Sequence, residues 1–353
     1  MIITGLLLGV IFGFVLQRGR FCVTGAFRDV WIAHKTRWMV AFLVTIAVQA
    51  VGVAALQSAG IITLSFDNLP WLAVIVGSLI FGVSIVAAGG CATGTWYRAG
   101  EGLVGSWIAL VGYAAGAAIM KYGALKPVNE AVRSVTVPVT TIHDALGISS
   151  WVLVGLLVAG TAYLVRRELQ RSTTPMATLP PEKTGLAHVL FEKRWHPFVT
   201  GAIIGLIAIA AYPLSFASGR ESGLGITTPS ANLTSFLVTG NAERIDWGVL
   251  LVLGILVGSF IAAKASGEFK VRVPDATIVL RSVFGGLGMG VGAAWAGGCT
   301  IGNSMVESSQ FTFQGWLAFG FTLLGVGIGA KLFLPAKRTP STTSRPSSVP
   351  VPA

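Results

Sequence analysis

Three cysteines are all that 353 residues contain, and they stand in matching surroundings: GFVLQRGRFCVTG (13–25), GVSIVAAGGCATG (82–94) and GVGAAWAGGCTIG (290–302). In each, one glycine lies nine residues before the cysteine and another three after it. Several chemistries compete for such thiols. A buried packing role accounts for a single cysteine but poorly for three in matched loops. A disulfide relay favours C-x-x-C pairing, and an odd count leaves one thiol over. A zinc or copper site needs thiolates with histidine or methionine partners, yet His34, His143, His188 and His196 are not neighbours of any cysteine. No metal ligand set and no cofactor site is therefore expected. A thiol is also a weak hydrogen-bond donor, suited to a soft, sulfur-bearing anion, and that reading survives.

The residues around Cys22, Cys91 and Cys299 fit an anion path. Gly25, Gly90, Gly94, Gly298 and Gly302 make pliable backbone; Gly89-Gly90 and Gly94 are expected to permit left-handed turns, with the next helix starting between Thr93 and Gly102. Exposed N–H groups and helix N-termini then point at the site. Thr24, Thr93, Thr300 and Asn303 are expected either to donate to the anion's oxygens or to satisfy loop backbone. Arg18, Arg20 and Arg98 lie near cysteines, where attraction of the anion competes with a topological role. Arg220 stands in a fourth, cysteine-free copy beginning at Gly201. Glu101 and Glu307 follow their cysteines and either couple protons or charge the first turn of the next helix.

Membrane spans must position these loops. The chain is 53% hydrophobic and 11% charged, with mean hydropathy +0.76, against roughly 25% charged in soluble domains. Apolar runs long enough for about 30 Å of hydrocarbon lie at 1–17, 38–58, 71–88, 102–120, 151–166, 197–213, 247–265, 277–296 and 315–334. The expected fold is an all-α integral membrane protein with nine spans. The first run is not expected to be a cleaved signal, since no basic residue precedes it and it runs into Arg18 and Arg20. Only Lys121, Lys126, Arg133, Arg220 and Arg244 of the 25 basic residues fall on the N-terminal side. The positive-inside rule then places the N-terminus outside and the C-terminus in the cytoplasm, which makes the +11 charge a matter of topology rather than of nucleic-acid binding.

The loops follow spans one, three, six and eight, which implies two inverted halves, 4 + 1 + 4, around central re-entrant loops. Expected divisions are a first half at 1–120, a connecting segment with the fifth span and a basic linker at 121–196, a second half at 197–334, and a disordered tail at 335–353. Small-xxx-small glycine pairs such as Gly9/Gly13 and Gly254/Gly258 fit close helix packing.

GRFCVTG, GGCATG and GGCTIGN in nine inverted spans resemble the YeeE/YedE sulphur-transport family over nearly the whole chain, apart from the linker and the tail. The resemblance implies a non-enzymatic permease of the bacterial inner membrane that takes up thiosulfate for sulfur assimilation. It implies a relay of S–H···S contacts along Cys22, Cys91 and Cys299, and cytoplasmic sulfur-carrier or rhodanese-like partners. A thiolate would repel a dianion, so the thiols are expected to stay protonated. Their weakness as donors suits a site that must also release its ion. Alternatives are another sulfur or selenium species on the same scaffold, a membrane thiol–disulfide oxidoreductase, and a structural protein.

Overall fold

The computed structural model describes residues 2–171 and 184–334; the tail at 335–353 and the middle of the basic linker lie outside the described residues. The chain forms α1 (Ile3–Gly19), α2 (Val23–Ile32), α3 (Arg37–Ser58), α4 (Trp71–Ala87), α5 (Ala92–Gly100), α6 (Val104–Lys121), the short α7 (Lys126–Arg133) and α8 (Ile142–Leu146), and α9 (Ser150–Gln170). There follow a single turn α10 (Gly185–Ala187), α11 (Pro197–Phe216), α12 (Thr227–Thr239), α13 (Trp247–Ala265), α14 (Ala276–Ala296), a π-helix over Thr300–Glu307, and α15 (Phe313–Phe333). Isolated β-bridges are the only extended pairing among the described residues. The molecule is an all-α membrane protein.

Eight stretches among the described residues are long and apolar enough to cross a membrane: Ile3–Ile32, Arg37–Ser58, Trp71–Gly100, Val104–Lys121, Pro197–Phe216, Trp247–Ala265, Ala276–Glu307 and Phe313–Phe333. The segment expected as the fifth span forms α9, a 21-residue helix of about 30 Å. It is not one of the eight; its last turns carry Arg166, Arg167 and Glu168, and it buries only Val154, Thr161 and Glu168.

Glycine decides how the long helices meet. α1 runs parallel to α13, with Gly5 against Trp247, Gly9 against Leu251 and Gly254, and Gly13 against Ile255; a Cβ at any of them would strike the facing backbone. α6 and α14 meet through Gly112 and Gly116 on one side and Gly286 and Gly290 on the other, and α4 meets α15 through Gly82 and Gly325. Such close approach is what small residues supply in lipid, where no hydrophobic force drives helices together. The upstream glycine of each repeat is explained by this packing, because Gly13, Gly82 and Gly290 press on the Ile255, Thr322 and Tyr113 carbonyls respectively. Every long helix of residues 1–120 packs on a helix of residues 197–334.

Four of the long stretches break. α1 ends at Arg20, whose φ is 48°, before α2; α4 ends before Gly89, φ 73°, and α5; α14 ends at Gly297, φ 86°, before the π-helix. At Gly89 and Gly297 the absence of a Cβ makes that left-handed turn inexpensive. The expectation for Gly90 and Gly94 is corrected: neither has positive φ, and α5 already begins at Ala92. The fourth break, residues 217–226, follows Pro213 in the last turn of α11 and leads into α12.

Candidate functional site

The sequence brings each cysteine to the start of a half-helix. Cys22 is the N-cap of α2, with extended backbone, and its sulfur accepts from the Gly25 N–H at 3.4 Å. Cys91 stands in the same position before α5 and Cys299 before the π-helix, both also extended. Serine or aspartate usually takes this place, accepting from an N–H of the first turn. At Cys22 a thiol does so and keeps its own S–H for another acceptor. The downstream glycine of the repeat lies beside the thiol at two sites: a Cβ at Gly25 would lie 3.8 Å from the Cys22 sulfur, and one at Gly94 3.5 Å from that of Cys91, both ordinary contacts that do not require glycine. Gly302 differs, with open space where its Cβ would be. Gly298 leaves room for Asn303, and Gly90 lies in ordinary contact with Gly94 and Arg98.

The breaks converge. Cys91 lies within electrostatic reach of both Cys22 and Cys299, with the Thr300 hydroxyl beside it. Tyr113 on α6 borders Cys299 and Cys91 and donates its hydroxyl to Thr227 at 2.8 Å, so the cysteine-free fourth break enters the same centre. Trp96 donates to Ser230 at 3.0 Å and ties α5 to α12. Cys91 and Cys299 are buried at 2% exposure, and Cys22 is half-buried; all three are free thiols. Cys91 thus links the other two thiols, and the Arg98 Nη2 lies 3.4 Å from the Cys22 sulfur.

The threonines divide from the asparagine. Thr24, Thr93 and Thr300, each within two residues of a cysteine, are buried; the hydroxyls of Thr24 and Thr93 have no partner, and that of Thr300 lies beside Cys91. A buried hydroxyl without a partner costs about 1–3 kcal/mol; Thr24 and Thr93 stand two residues after their cysteines and Thr300 one, and none of the three hydroxyls serves the loop backbone. Asn303 does: its amide donates to the Ala296 carbonyl at 2.8 Å and the Gly298 carbonyl at 3.2 Å, and its oxygen accepts from Gln314 at 3.1 Å. It staples the α14 break and has no donor left for an anion.

The basic residues also separate. Arg220 lies near the N-terminal face, over the Trp247 ring at 5.7 Å, with its Nη1 buried and unpartnered. Burial pushes its guanidinium below the usual range, with Asp246 acting in the opposite sense. Lys121 and Arg133 share its surroundings closely enough to feel each other's charge; Lys121 donates to Thr228 at 2.6 Å and Arg133 to the Trp295 carbonyl at 2.7 Å. Arg18, in contrast, is turned away from the cysteines, donating to the Leu190 carbonyl at 2.8 Å with Glu268 at 3.5 Å. Arg20 is bound to Glu268 at 2.7 Å. Glu101 is the C-cap of α5 and Glu307 closes the π-helix, so neither charges the first turn of the following helix.

Sequence reasoning missed Tyr113, hidden in the small-residue run VGYAAGAA, and the Gln17–Glu268 pair at 2.7 Å, whose members are 251 residues apart. The lone hydroxyl in an otherwise apolar Gly/Ala run was the available signal for the first; nothing local pointed to the second. Among the described residues no group of three or more His, Cys, Asp or Glu is placed to hold a metal ion.

Residues 18–328 match the model of the family described as sulphur transport. The chain is 53% identical over 326 residues to the thiosulfate transporter TsuA of Escherichia coli (strain K12), covering 92% of this chain and 93% of the relative. It is 34% identical over 339 residues to the thiosulfate transporter TsuA of Spirochaeta thermophila, covering 92% and 97%. A shorter match, 38% over 119 residues, is to the probable transporter YedE of Escherichia coli (strain K12), covering 33% of this chain and 29% of that one. A broken-helix membrane scaffold with a cysteine at three of its breaks, matched over most of its length, belongs to the sulphur-transport family, whose members are transporters rather than enzymes.

Proposed function

We propose that this protein imports thiosulfate across the bacterial inner membrane for sulfur assimilation, handing the ion from Cys299 to Cys91 to Cys22. One observation carries the reading: each cysteine stands at the N-cap position of a half-helix, within two residues of a buried threonine hydroxyl. Thiosulfate has a soft terminal sulfur and hard oxygens, and each station offers a soft S–H with a hard O–H. The names of the two full-length relatives support the cargo. The sulfur of Cys22 is already an acceptor for Gly25 and Arg98, so its S–H is free to donate.

Direction follows from charge. With α9 as a ninth span the halves are inverted, 4 + 1 + 4, and the positive-inside rule puts the N-terminus outside and the C-terminus in the cytoplasm. Lys121, Arg133 and Arg220 then form the entrance, and Cys22 with Arg98 the exit. Moving a dianion into a negative interior costs about 2 × 2.3 kcal/mol per 100 mV, so consumption inside must pull it; a cytoplasmic sulfur-carrier or rhodanese-like protein is the proposed sink.

The test is growth of a cysteine-requiring bacterial strain, lacking its own sulfate and thiosulfate uptake, on thiosulfate as sole sulfur source. Wild type is expected to restore growth; Cys22→Ser, Cys91→Ser and Cys299→Ser, confirmed in the membrane, are not. Growth of the variants at the wild-type rate would reduce the cysteines to packing residues, and failure of wild type would make thiosulfate the wrong cargo.

A further inference from the structure

The face opposite the N-terminus holds a cavity of about 350 Å³ that a file of thiols does not require. Four basic side chains line it, Arg20, Arg98, Lys270 and Arg272, against two carboxylates, Glu101 and Glu268. Four positive charges less two negative leave two, the charge that a dianion neutralises. The excess is not diffuse. Glu268 is taken up by Arg20, Arg18 and Gln17, while Arg98, Lys270 and Arg272 have no ion pair within 4 Å among the described residues.

The cavity is built by backbone, not by chance proximity of long side chains. The strip that carries Lys270 and Arg272 is pinned to the turn after α5: the Lys270 N–H donates to the Glu101 carbonyl at 3.4 Å, the Arg272 N–H to the Gly102 carbonyl at 3.0 Å, and the Val104 N–H to the Arg272 carbonyl at 3.1 Å. Gly102, with φ 93°, lets that turn approach Lys270 closely. Arg98 joins the cavity to the file, since one guanidinium nitrogen lies 3.4 Å from the Cys22 sulfur while another donates to the Gly89 carbonyl at the α4–α5 break. The space is several times the ~30 Å³ that a water takes in the liquid, enough for a small oxyanion that keeps part of its hydration.

We propose that this cavity is a second binding site for the transported sulfur oxyanion, in which Arg98 draws the ion's oxygens away from the Cys22 thiol and Lys270 and Arg272 hold them before release. The inference rests on the thiosulfate reading. The chemistry changes along the path: a thiol is a soft, weak donor, whereas guanidinium and ammonium are hard, charged donors that bind oxygens rather than sulfur. At the mouth, water competes for the same oxygens and allows release.

Radiolabelled thiosulfate binding to the detergent-purified full chain tests this by equilibrium dialysis. The background carries Cys22→Ser, Cys91→Ser, Cys299→Ser and Arg220→Gln, which removes the relay and weakens the entrance. That protein is expected to bind thiosulfate still, with an affinity that falls as salt rises. Adding Lys270→Gln and Arg272→Gln is expected to weaken binding about tenfold or more, and the charge-preserving Lys270→Arg with Arg272→Lys to retain it. Equal binding with and without the two neutralised residues overturns the proposal, as does a charge-preserving variant that loses as much, or a background that binds nothing. Uptake by wild-type proteoliposomes is measured alongside: if wild type transports while the cavity result is negative, the inner site alone is wrong, and if wild type fails to transport thiosulfate, both readings fall.

Discussion

Replacing Thr93 by valine separates a ligand site from a structural loop, because the two predict opposite signs. The Thr93 hydroxyl is buried at 2% exposure, and no donor or acceptor is within reach. Valine has nearly the same shape and carries no polar atom, so the empty protein is expected to gain stability by up to the cost of an unmet buried group, about 1–3 kcal/mol. The bound ion would lose one hydrogen bond to a charged acceptor, worth about 1.5–3 kcal/mol, which is a factor of about 10–150 in affinity. The assay is a pair of measurements on one purified sample: the thermal midpoint in detergent, and the concentration dependence of thiosulfate uptake after reconstitution. Thr93→Val is expected to melt higher than wild type and to need at least tenfold more thiosulfate for half-maximal uptake. Thr24→Val should behave alike, since its hydroxyl, like that of Thr93, lies two residues after its cysteine and has no partner. A lower midpoint with unchanged half-saturation would refute the reasoning, because it would mean that the hydroxyl serves the fold.

Asn303→Ala is expected to do the reverse, leaving the Ala296 and Gly298 carbonyls and the Gln314 amide without a partner; it should lower the thermal midpoint by the equivalent of about 1–3 kcal/mol, and lost half-saturation at full stability would place Asn303 on the ion instead. Glu101 gives a pH signature. Burial pushes its carboxyl above the usual range, joined by Glu268 and opposed by Arg98, Arg20 and Gln17, so its proton is held to higher pH than on a free glutamate. A raised acid supports the fold fully at low pH, and that support is lost as pH rises through its folded value. Wild type should therefore lose stability relative to Glu101→Gln above the ordinary glutamate range, and a pH profile that runs parallel for the two proteins would show that Glu101 is not buried as described.

What was legible in the sequence was whatever the lipid forces to be local. Span positions follow from the length of apolar runs, and the breaks follow from Gly89 and Gly297, whose backbone few other residues adopt. The repeat located all three thiols because its upstream glycine serves a local purpose at each break: it lets a neighbouring helix approach. Glycine frequency alone misled at Gly90 and Gly94, which were read as turns although neither has positive φ. Asn303 and the threonines looked interchangeable because both are short and polar; only their partners distinguish them, and those partners are backbone groups whose positions depend on where the helix breaks. The inner cavity was hidden for a different reason. Arg98, Glu101, Glu268 and Lys270 belong to both ends of the chain, and the positive-inside rule already accounts for every basic residue on that face. A charge that topology explains carries no further signal in sequence, so its second use appears only when α1 and α13 lie side by side and bring Gln17 and Arg20 to Glu268. The helix contact and the anion cavity are in this sense one feature, because the glycines that let α1 and α13 touch also fix where the unpaired cations beyond them are left.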